Sequence, residues 1–470
     1  MKFLPLLLSL FILGGCVGSE PRESPDLVGR GVEALPAEFS HDADLASDGS
    51  TEDTKESQAS LNRHSAFSWL ESFNSPDLNL LVEKAIEENY SLAQQATAVR
   101  LAEQSVRISR SELLPFLNLS VSAQRSDTGT APANQYGLSL AAGYEVDLWG
   151  KLNTAQKRSQ IDLANQRARY QEAERTLVRD VVNAGFDASS AEQLLGLLNQ
   201  RFNNLTESLD VIERGYRSGL NDALDVYLSR NTLELERAGI ANQQQVLFES
   251  LTRLELLLGE YPGAKLNVSG SLQSINLEPL EAGIPAGLLQ RRPDIQQAWL
   301  DLLSADAGVA IAHRNRFPGL NLSASLSDSD QELGHLLDGG SLAWSVAASL
   351  VQPLFQGGRL AALEEQAKIL LEQQEKRYLE VVFRALAEVE NELSRGQVLN
   401  ARYEAFVRAE QNANTALELA FDQYQRGLVP YTTVLESQRR AFDAQTTLIQ
   451  LRNQQLKSRV NLLLALGGEY

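Results

Sequence analysis

Two hydrophobic rhythms divide this chain. No proline occurs in the stretches 133–261, 354–429 and 431–470, and proline-free stretches of that length permit long helices. Within the first, Leu198, Phe202, Leu205, Leu209, Ile212 and Tyr216 recur at spacings of 4, 3, 4, 3 and 4. That alternation is a heptad seam, the pattern of coiled-coil packing. The positions 208 residues later are Phe406, Glu410, Ala413, Leu417, Ala420 and Tyr424, a weaker seam with one charge and two alanines. An apolar face on an ordinary globular helix is the alternative; an intact seam and an interrupted copy of it favour the coiled coil. The spans predict helices at about 77–113, 152–218 and 222–258, the long one about 100 Å and the others about 55 Å each.

Four other segments alternate with period 2. Leu117, Leu119, Val121 and Ala123 interleave with Asn118, Ser120, Ser122 and Gln124, and Tyr136, Leu138, Leu140, Ala142, Tyr144, Val146 and Leu148 with small or polar residues. Further on, Leu320, Leu322, Ala324 and Leu326 interleave with Asn321, Ser323, Ser325 and Ser327, and Leu342, Trp344, Val346, Ala348 and Leu350 with alanine and serine. Strands are predicted at about 115–126, 135–148, 317–328 and 341–353. One apolar face and one small, polar face form the dyad of a membrane β-barrel strand, and each run is long enough to cross a bilayer. A soluble antiparallel sheet over a core is the competing reading. The linkers Ser126–Asn134 and Ser329–Gly340 hold Asp, Thr, Gly and Pro and read as exposed loops.

The order of elements is duplicated. Leu114-Pro115-Phe116-Leu117-Asn118-Leu119-Ser120 resembles Phe317-Pro318-Gly319-Leu320-Asn321-Leu322-Ser323 at an offset of 203 residues. Leu148-Trp149-Gly150-Lys151 resembles Leu354-Phe355 with Gly358-Arg359. Tyr216-Arg217-Ser218-Gly219-Leu220 resembles Tyr424-Gln425-Arg426-Gly427-Leu428, and Leu258-Gly259 matches Leu466-Gly467, both at 208. Two structural repeats of about 200 residues follow, near 76–259 and 285–467. Each reads helix, strand, strand, long helix, helix. Four strands cannot close a barrel, and an open edge in lipid leaves backbone groups unpaired, so the chain is expected to oligomerise. The eight strands of a dimer fill with side chains, whereas the twelve of a trimer suit a pore.

The first segment reads as an address. Lys2 precedes the apolar run Phe3–Leu13, which ends in Leu13-Gly14-Gly15-Cys16. That is a signal peptide over 1–15, too short for a transmembrane helix. Leu-Gly-Gly-Cys looks like a bacterial lipobox, whose cysteine is lipidated and becomes the mature N-terminus. Cys16 is the single cysteine of the chain. Val17 stands where an aspartate is associated with retention at the inner membrane, which favours the outer membrane. Residues 16–60 read as a lipid-anchored tether, with 11 acidic and 3 basic side chains after the cysteine. The first repeat and a waist segment then occupy 61–284 and the second repeat 285–470.

Composition narrows the function. The chain has 470 residues and a formal charge of −19, which argues against binding nucleic acid. One cysteine permits neither an intramolecular disulfide nor a cysteine-rich metal site. His41, His64, His313 and His335 are scattered, and the chain has no HExxH, Walker A or GxGxxG motif. The chain is expected to be no enzyme and to need no cofactor.

Gly143-Tyr144-Glu145-Val146-Asp147-Leu148-Trp149-Gly150-Lys151, Arg291-Arg292-Pro293-Asp294-Ile295 and Gln352-Pro353-Leu354-Phe355-Gln356-Gly357-Gly358-Arg359 resemble bacterial outer-membrane efflux proteins. With its lipobox the chain is similar to the OprM/NodT-type lipoproteins, relatives of TolC. The resemblance covers about residues 61–470. It implies an α+β membrane protein: a homotrimer with a 12-stranded barrel shared between protomers, above a 12-helix coiled-coil tunnel in the periplasm. It also implies a periplasmic adaptor protein and an inner-membrane pump, usually a proton-driven RND transporter, as partners. The channel itself is passive and lies in the outer membrane.

The turns Arg217–Asp222 and Gln425–Tyr431 resemble the family's periplasmic tips, which close the tunnel and receive the adaptor; Gly219, Leu220, Gly427 and Leu428 are the expected contacts. By position Asp225 matches a family aspartate that restrains the closed gate, and Tyr424 a tyrosine bonded to it. Val429 stands where TolC has an arginine that completes the latch, which leaves a hydrogen bond and packing to hold it. Thr433 and Glu436 fall where TolC has two aspartates in a constricting ring. Only Glu436 keeps the charge, so a cation-trapping ring rests on it and on Asp222. Asp222 and Asp225 also open a helix, where capping alone explains an aspartate, and Tyr424 fits the seam as packing. Efflux of drugs or other small molecules is the expected function. Type I protein secretion through a TolC-like conduit is the alternative, and a structural coiled-coil lipoprotein the alternative of a different class. Cys16→Ser is expected to abolish acyl labelling of the protein in growing cells; labelling that persists in the variant rules out the lipobox.

Overall fold

A computed structural model of the chain describes residues 68–73, 75–127, 129, 132–220, 222–267, 275, 291–336, 338 and 341–468. The expected signal peptide, Cys16 and the acidic tether lie outside the described residues. After a short 3-10 helix, Ser68–Phe73, come α1 (Pro76–Glu88) and α2 (Tyr90–Ser111), β1 (Phe116–Asp127) and β2 (Pro132–Val146), then α3 (Lys151–Arg217) and α4 (Ala223–Leu257). The second round is α5 (Pro293–Arg314), β3 (Gly319–Asp330), β4 (Ala343–Val351), α6 (Arg359–Gln425) and α7 (Tyr431–Ala465). The duplication is kept in length: α3 and α6 have 67 residues each, α4 and α7 35 each.

The expected helix over 77–113 is two helices. At Asn89 the backbone becomes extended, with φ −68° and ψ 120°. The Asn89 side chain accepts the Leu92 N–H and donates to the Leu257 carbonyl, each at 2.9 Å. Asn89 thus caps α2 and ties it to the end of α4. The backbones meet closely here, since a Cβ on Gly259 would lie 2.5 Å from the Glu88 carbonyl oxygen. Apolar spacing carries no trace of such a side-chain-to-backbone tie.

All four strands join one antiparallel sheet in the order β1-β2-β3-β4, so β2 and β3 link the two repeats. The register keeps one face apolar throughout. Leu119 lies opposite Leu140, Leu140 opposite Leu326, and Leu326 opposite Trp344. On the other face Ser120 lies opposite Ser139 and Ser325 opposite Ser345, and these hydroxyl pairs are hydrogen-bonded at 2.7 and 2.9 Å. A slip of one residue would turn every leucine to the polar face. The strand bounds differ from expectation by up to three residues. β2 begins at Pro132, because Asp127 pairs with it, and ends at Val146. It stops there because the Asp147 carboxylate accepts the N–H groups of Leu152 and Asn153, at 3.0 and 2.9 Å, and so caps α3. β4 is shorter than expected at both ends: its last pair with β3 is Ser327 with Ala343 at one end and Gly319 with Val351 at the other. No described helix is long and apolar enough to cross a membrane.

The described residues fall into two compact units. One comprises Thr97–Ala168 and Gln296–Val381 and contains the sheet; the other takes in the described parts of Leu35–Ala96, Arg169–Ile295 and Val382–Tyr470. The second holds the main core, in which Trp69 meets Phe73 edge to face and Phe73 lies tilted against Phe186, at 6.0 and 5.6 Å between ring centroids. Leu78, Val82 and Ala85 of α1 and Val178, Val181 and Val182 of α3 surround them. Small residues on α3 let α1 approach: a Cβ on Gly185 would come 3.2 Å from the Leu78 side chain.

Asn89→Ala removes a cap and leaves the Leu257 carbonyl without its donor. It is expected to destabilise the protein by about 1–2 kcal/mol, read as a lower thermal midpoint with an unchanged helix signal at low temperature.

Candidate functional site

The two helix-reversal turns are built alike. Gly219 and Gly427 have φ +73° and +72°, a conformation that glycine adopts without strain. The Leu220 N–H bonds the Gly215 carbonyl at 2.8 Å and Gly219 N–H the Tyr216 carbonyl at 3.0 Å; Leu428 and Gly427 repeat this with Gln423 and Tyr424, both at 2.9 Å. These are Schellman caps, which satisfy the last carbonyls of α3 and α6 and stop both helices. Leu220 and Leu428 project from the turns, 83% and 69% exposed.

Behind the turns lies a small core of Ile212, Val226, Ala420, Tyr431 and Val434, against which Leu417, Phe421, Tyr424 and Leu435 pack. Four of these, Ile212, Leu417, Ala420 and Tyr424, are expected seam positions, and Glu410 of the second seam accepts the amides of Asn414 and Gln445 at 2.5 and 3.3 Å. The charge in the seam is thereby satisfied.

Asp225, in the first turn of α4, faces Tyr424. Burial, and next the neighbouring Asp222 carboxylate, push the Asp225 carboxyl above the usual carboxylate range, while the Tyr424 hydroxyl pulls it down. Burial and then the Asp225 charge push the Tyr424 phenol up to about 12. Within one chain the Tyr424 hydroxyl stops short of full hydrogen-bond geometry, as its oxygen is buried with no partner at bonding distance and angle. The structure therefore brings this expected pair together without closing the bond. Asp222 occupies the N-cap position of α4, but its side chain makes no capping bond. Glu436 is held by its own helix: Arg439 and Arg440 donate to it at 2.9 and 2.8 Å and draw its carboxyl down to about 2. Thr433 is exposed and Val429 half-buried. Glu213 accepts from Arg217 at 3.4 Å and from Arg230 at 2.7 Å, so α3 and α4 are also bridged near their turn.

Two hubs were not legible as sites. Arg292 is 7% exposed and donates to both Asp294 oxygens, to Glu388 at 2.7 Å and to the Ala465 carbonyl at 3.1 Å. Burial works against its charge, but the carboxylates outweigh this and raise its pKa. The arginine and aspartate flanking Pro293 are the only trace in the sequence. Glu255, 2% exposed, accepts the N–H groups of Ala264, Lys265 and Leu266 at 2.7, 2.6 and 3.2 Å and so folds the chain back after α4. Among the described residues no cluster of His, Cys, Asp or Glu could hold a metal ion.

Comparison with known proteins decides what these repeats are. The family model for outer membrane efflux proteins matches residues 81–260 and 284–468. The chain belongs to the outer membrane efflux protein family. The two matched segments coincide with the two repeats. A probable efflux pump outer membrane protein of Pseudomonas putida, SepC, is 30% identical over 417 residues, 87% of each chain. The pyoverdine export outer membrane protein OpmQ of Pseudomonas aeruginosa is 28% identical over 481 residues, 100% of this chain and 97% of its own. Among solved structures, CusC, described as forming a transmembrane channel, superposes with a TM-score of 0.80 at 25% identity, over 92% of this chain and 96% of its own. As a family member the protein resides in the outer membrane and is the outer-membrane channel of an efflux system.

The paired glycines supply a direct check on the turn geometry. Gly427→Ala places a Cβ at φ +72° and is expected to cost about 1 kcal/mol. Gly219→Ala should cost about the same, because its conformation is the same; the thermal midpoints of the two variants measure this.

Proposed function

We propose that three copies of this chain form a passive efflux channel, with a barrel to which each copy gives four strands and a periplasmic tunnel of long helices, closed at the helix tips. The observation that carries this reading is the sheet. One face is apolar across all four strands, and β1 and β4 each keep an edge that no described residue pairs. In hydrocarbon such edges are untenable unless another copy pairs with them. Twelve strands leave a lumen, and serine, alanine and glycine on the second face keep it open.

In this reading Cys16 carries the lipid anchor, Gly219, Leu220, Gly427 and Leu428 meet a periplasmic adaptor, and an RND-type inner-membrane pump selects the cargo. Asp225 and Tyr424 restrain the closed gate; the bond that one chain leaves incomplete closes when neighbouring tips draw together. Asp222 and Glu436 supply acidic groups at the constriction, with Arg439 and Arg440 tempering Glu436. The names of SepC and OpmQ, an efflux pump protein and a siderophore exporter, support small molecules as cargo.

The detergent-solubilised protein is expected to have the mass of three chains; a stable monomer with a closed barrel overturns the architecture. Asp225→Ala combined with Tyr424→Phe removes a hydrogen bond to a carboxylate worth about 1.5–3 kcal/mol in each copy. It is expected to raise single-channel conductance in planar bilayers and vancomycin sensitivity in cells. Asp222→Ala, which removes a tip charge but not the pair, should raise both less. Equal conductance in the wild type and the double variant, with trimer yield intact, refutes the latch.

A further inference from the structure

Tyr431 opens α7 directly after Pro430 and is 1% exposed. Its hydroxyl oxygen is buried without a partner at hydrogen-bond distance and angle, as is that of Tyr424. The two rings lie 5.3 Å apart between centroids and are tilted by 52°. A buried hydroxyl that stays unsatisfied is destabilising, so a position that served packing alone would be better filled by phenylalanine. Two such hydroxyls side by side in one small core point to a shared acceptor.

The polar groups facing these phenols come from α4. The Asp225 carboxylate acts electrostatically on both of them, and Ser229 lies beside the Tyr431 hydroxyl. The Ser229 hydroxyl already donates to the Asp225 carbonyl oxygen at 2.8 Å, so it can meet the Tyr431 hydroxyl only as a neutral acceptor, weaker than the Asp225 carboxylate. A carboxylate is an acceptor with room for several donors. Cations on the turn are engaged elsewhere: Arg426 donates to Asp422 at 2.9 Å, and residue 429 is a valine. The two phenols are the donors that the cluster offers to Asp225.

We propose that Tyr431 is a second latch residue, whose hydroxyl joins that of Tyr424 in donating to the Asp225 carboxylate in the closed channel. The latch is then one carboxylate on α4 held by two phenols that flank the α6–α7 turn, and it needs no cation. This rests on the reading of the tips as the gate. It assigns Tyr431 a positioning role, because the residue acts through Asp225 and meets no cargo.

The test uses the purified full-length channel in planar bilayers. Tyr431→Phe keeps the ring and removes only the hydroxyl. It is expected to raise the open-to-closed ratio about tenfold, the size of one charge-assisted hydrogen bond. In an Asp225→Ala background the same substitution should add less than about twofold, since its partner is gone. Tyr227→Phe, at an exposed tyrosine of the same tip, is expected to change nothing. A rise of equal size with and without Asp225 shows a packing effect and overturns the proposal. If Tyr431→Phe has no effect while Asp225→Ala with Tyr424→Phe opens the channel, Tyr431 is no latch residue and the gate reading stands. If neither opens it, the gate reading fails and the proposal with it.

Discussion

A strand placed in hydrocarbon must pair both of its edges inside protein, because no water is there to meet its backbone N–H and C=O groups. That constraint governs the channel architecture proposed for this chain. The described residues form four strands in one sheet, with two edges to pair. The chain spends far more of its length on helices than on strands, and each strand is long enough for one bilayer crossing. In the channel we propose, such a chain completes its barrel with copies of itself. In that proposed barrel the alternation of large apolar and small polar residues acts in two directions at once, giving one face to lipid and the other to a lumen.

Duplication explains why the helical part works with so few strands. Each repeat supplies a hairpin and a helix of 67 residues that reverses at a glycine into a helix of 35. The reversals at Gly219 and Gly427 use the same backbone conformation and the same pair of hydrogen bonds. The side chains around them are not copies. The first turn leads to acidic residues, Asp222 and Asp225, and the second to Pro430 and Tyr431. A conserved backbone frame therefore carries two different chemistries that meet in one core, with a carboxylate from one repeat facing phenols from the other. That asymmetry within symmetry is what the proposed latch rests on.

Polar groups do most of the fixing away from the tips. Asn89 breaks a helix and ties the break to Leu257, Glu255 gathers three backbone N–H groups after α4, and Arg292 joins Asp294, Glu388 and the end of α7. Each is buried and each is satisfied by several partners, the condition under which a buried polar group specifies a geometry and does not merely weaken a core.

Much of this protein was determined by its sequence alone. Period-2 alternation, the heptad seam, the offsets of 203 to 208 residues and the proline-free stretches are local patterns, and a local pattern needs only its own residues to be read. They predicted four strands, two long helices and their glycine reversals, and the strand bounds to within three residues. Tertiary structure decided what depends on partners distant in the chain. The helix break at Asn89 needs the Leu257 carbonyl, 168 residues away. The joining of two hairpins into one sheet needs β2 to meet β3. Asp225 and Tyr424 could be matched by position to a family, but that Tyr431 stands with them, buried and unpartnered, follows from two helices packing across the repeats. A hydrogen bond between distant residues has no period, so no spacing along the chain announces it.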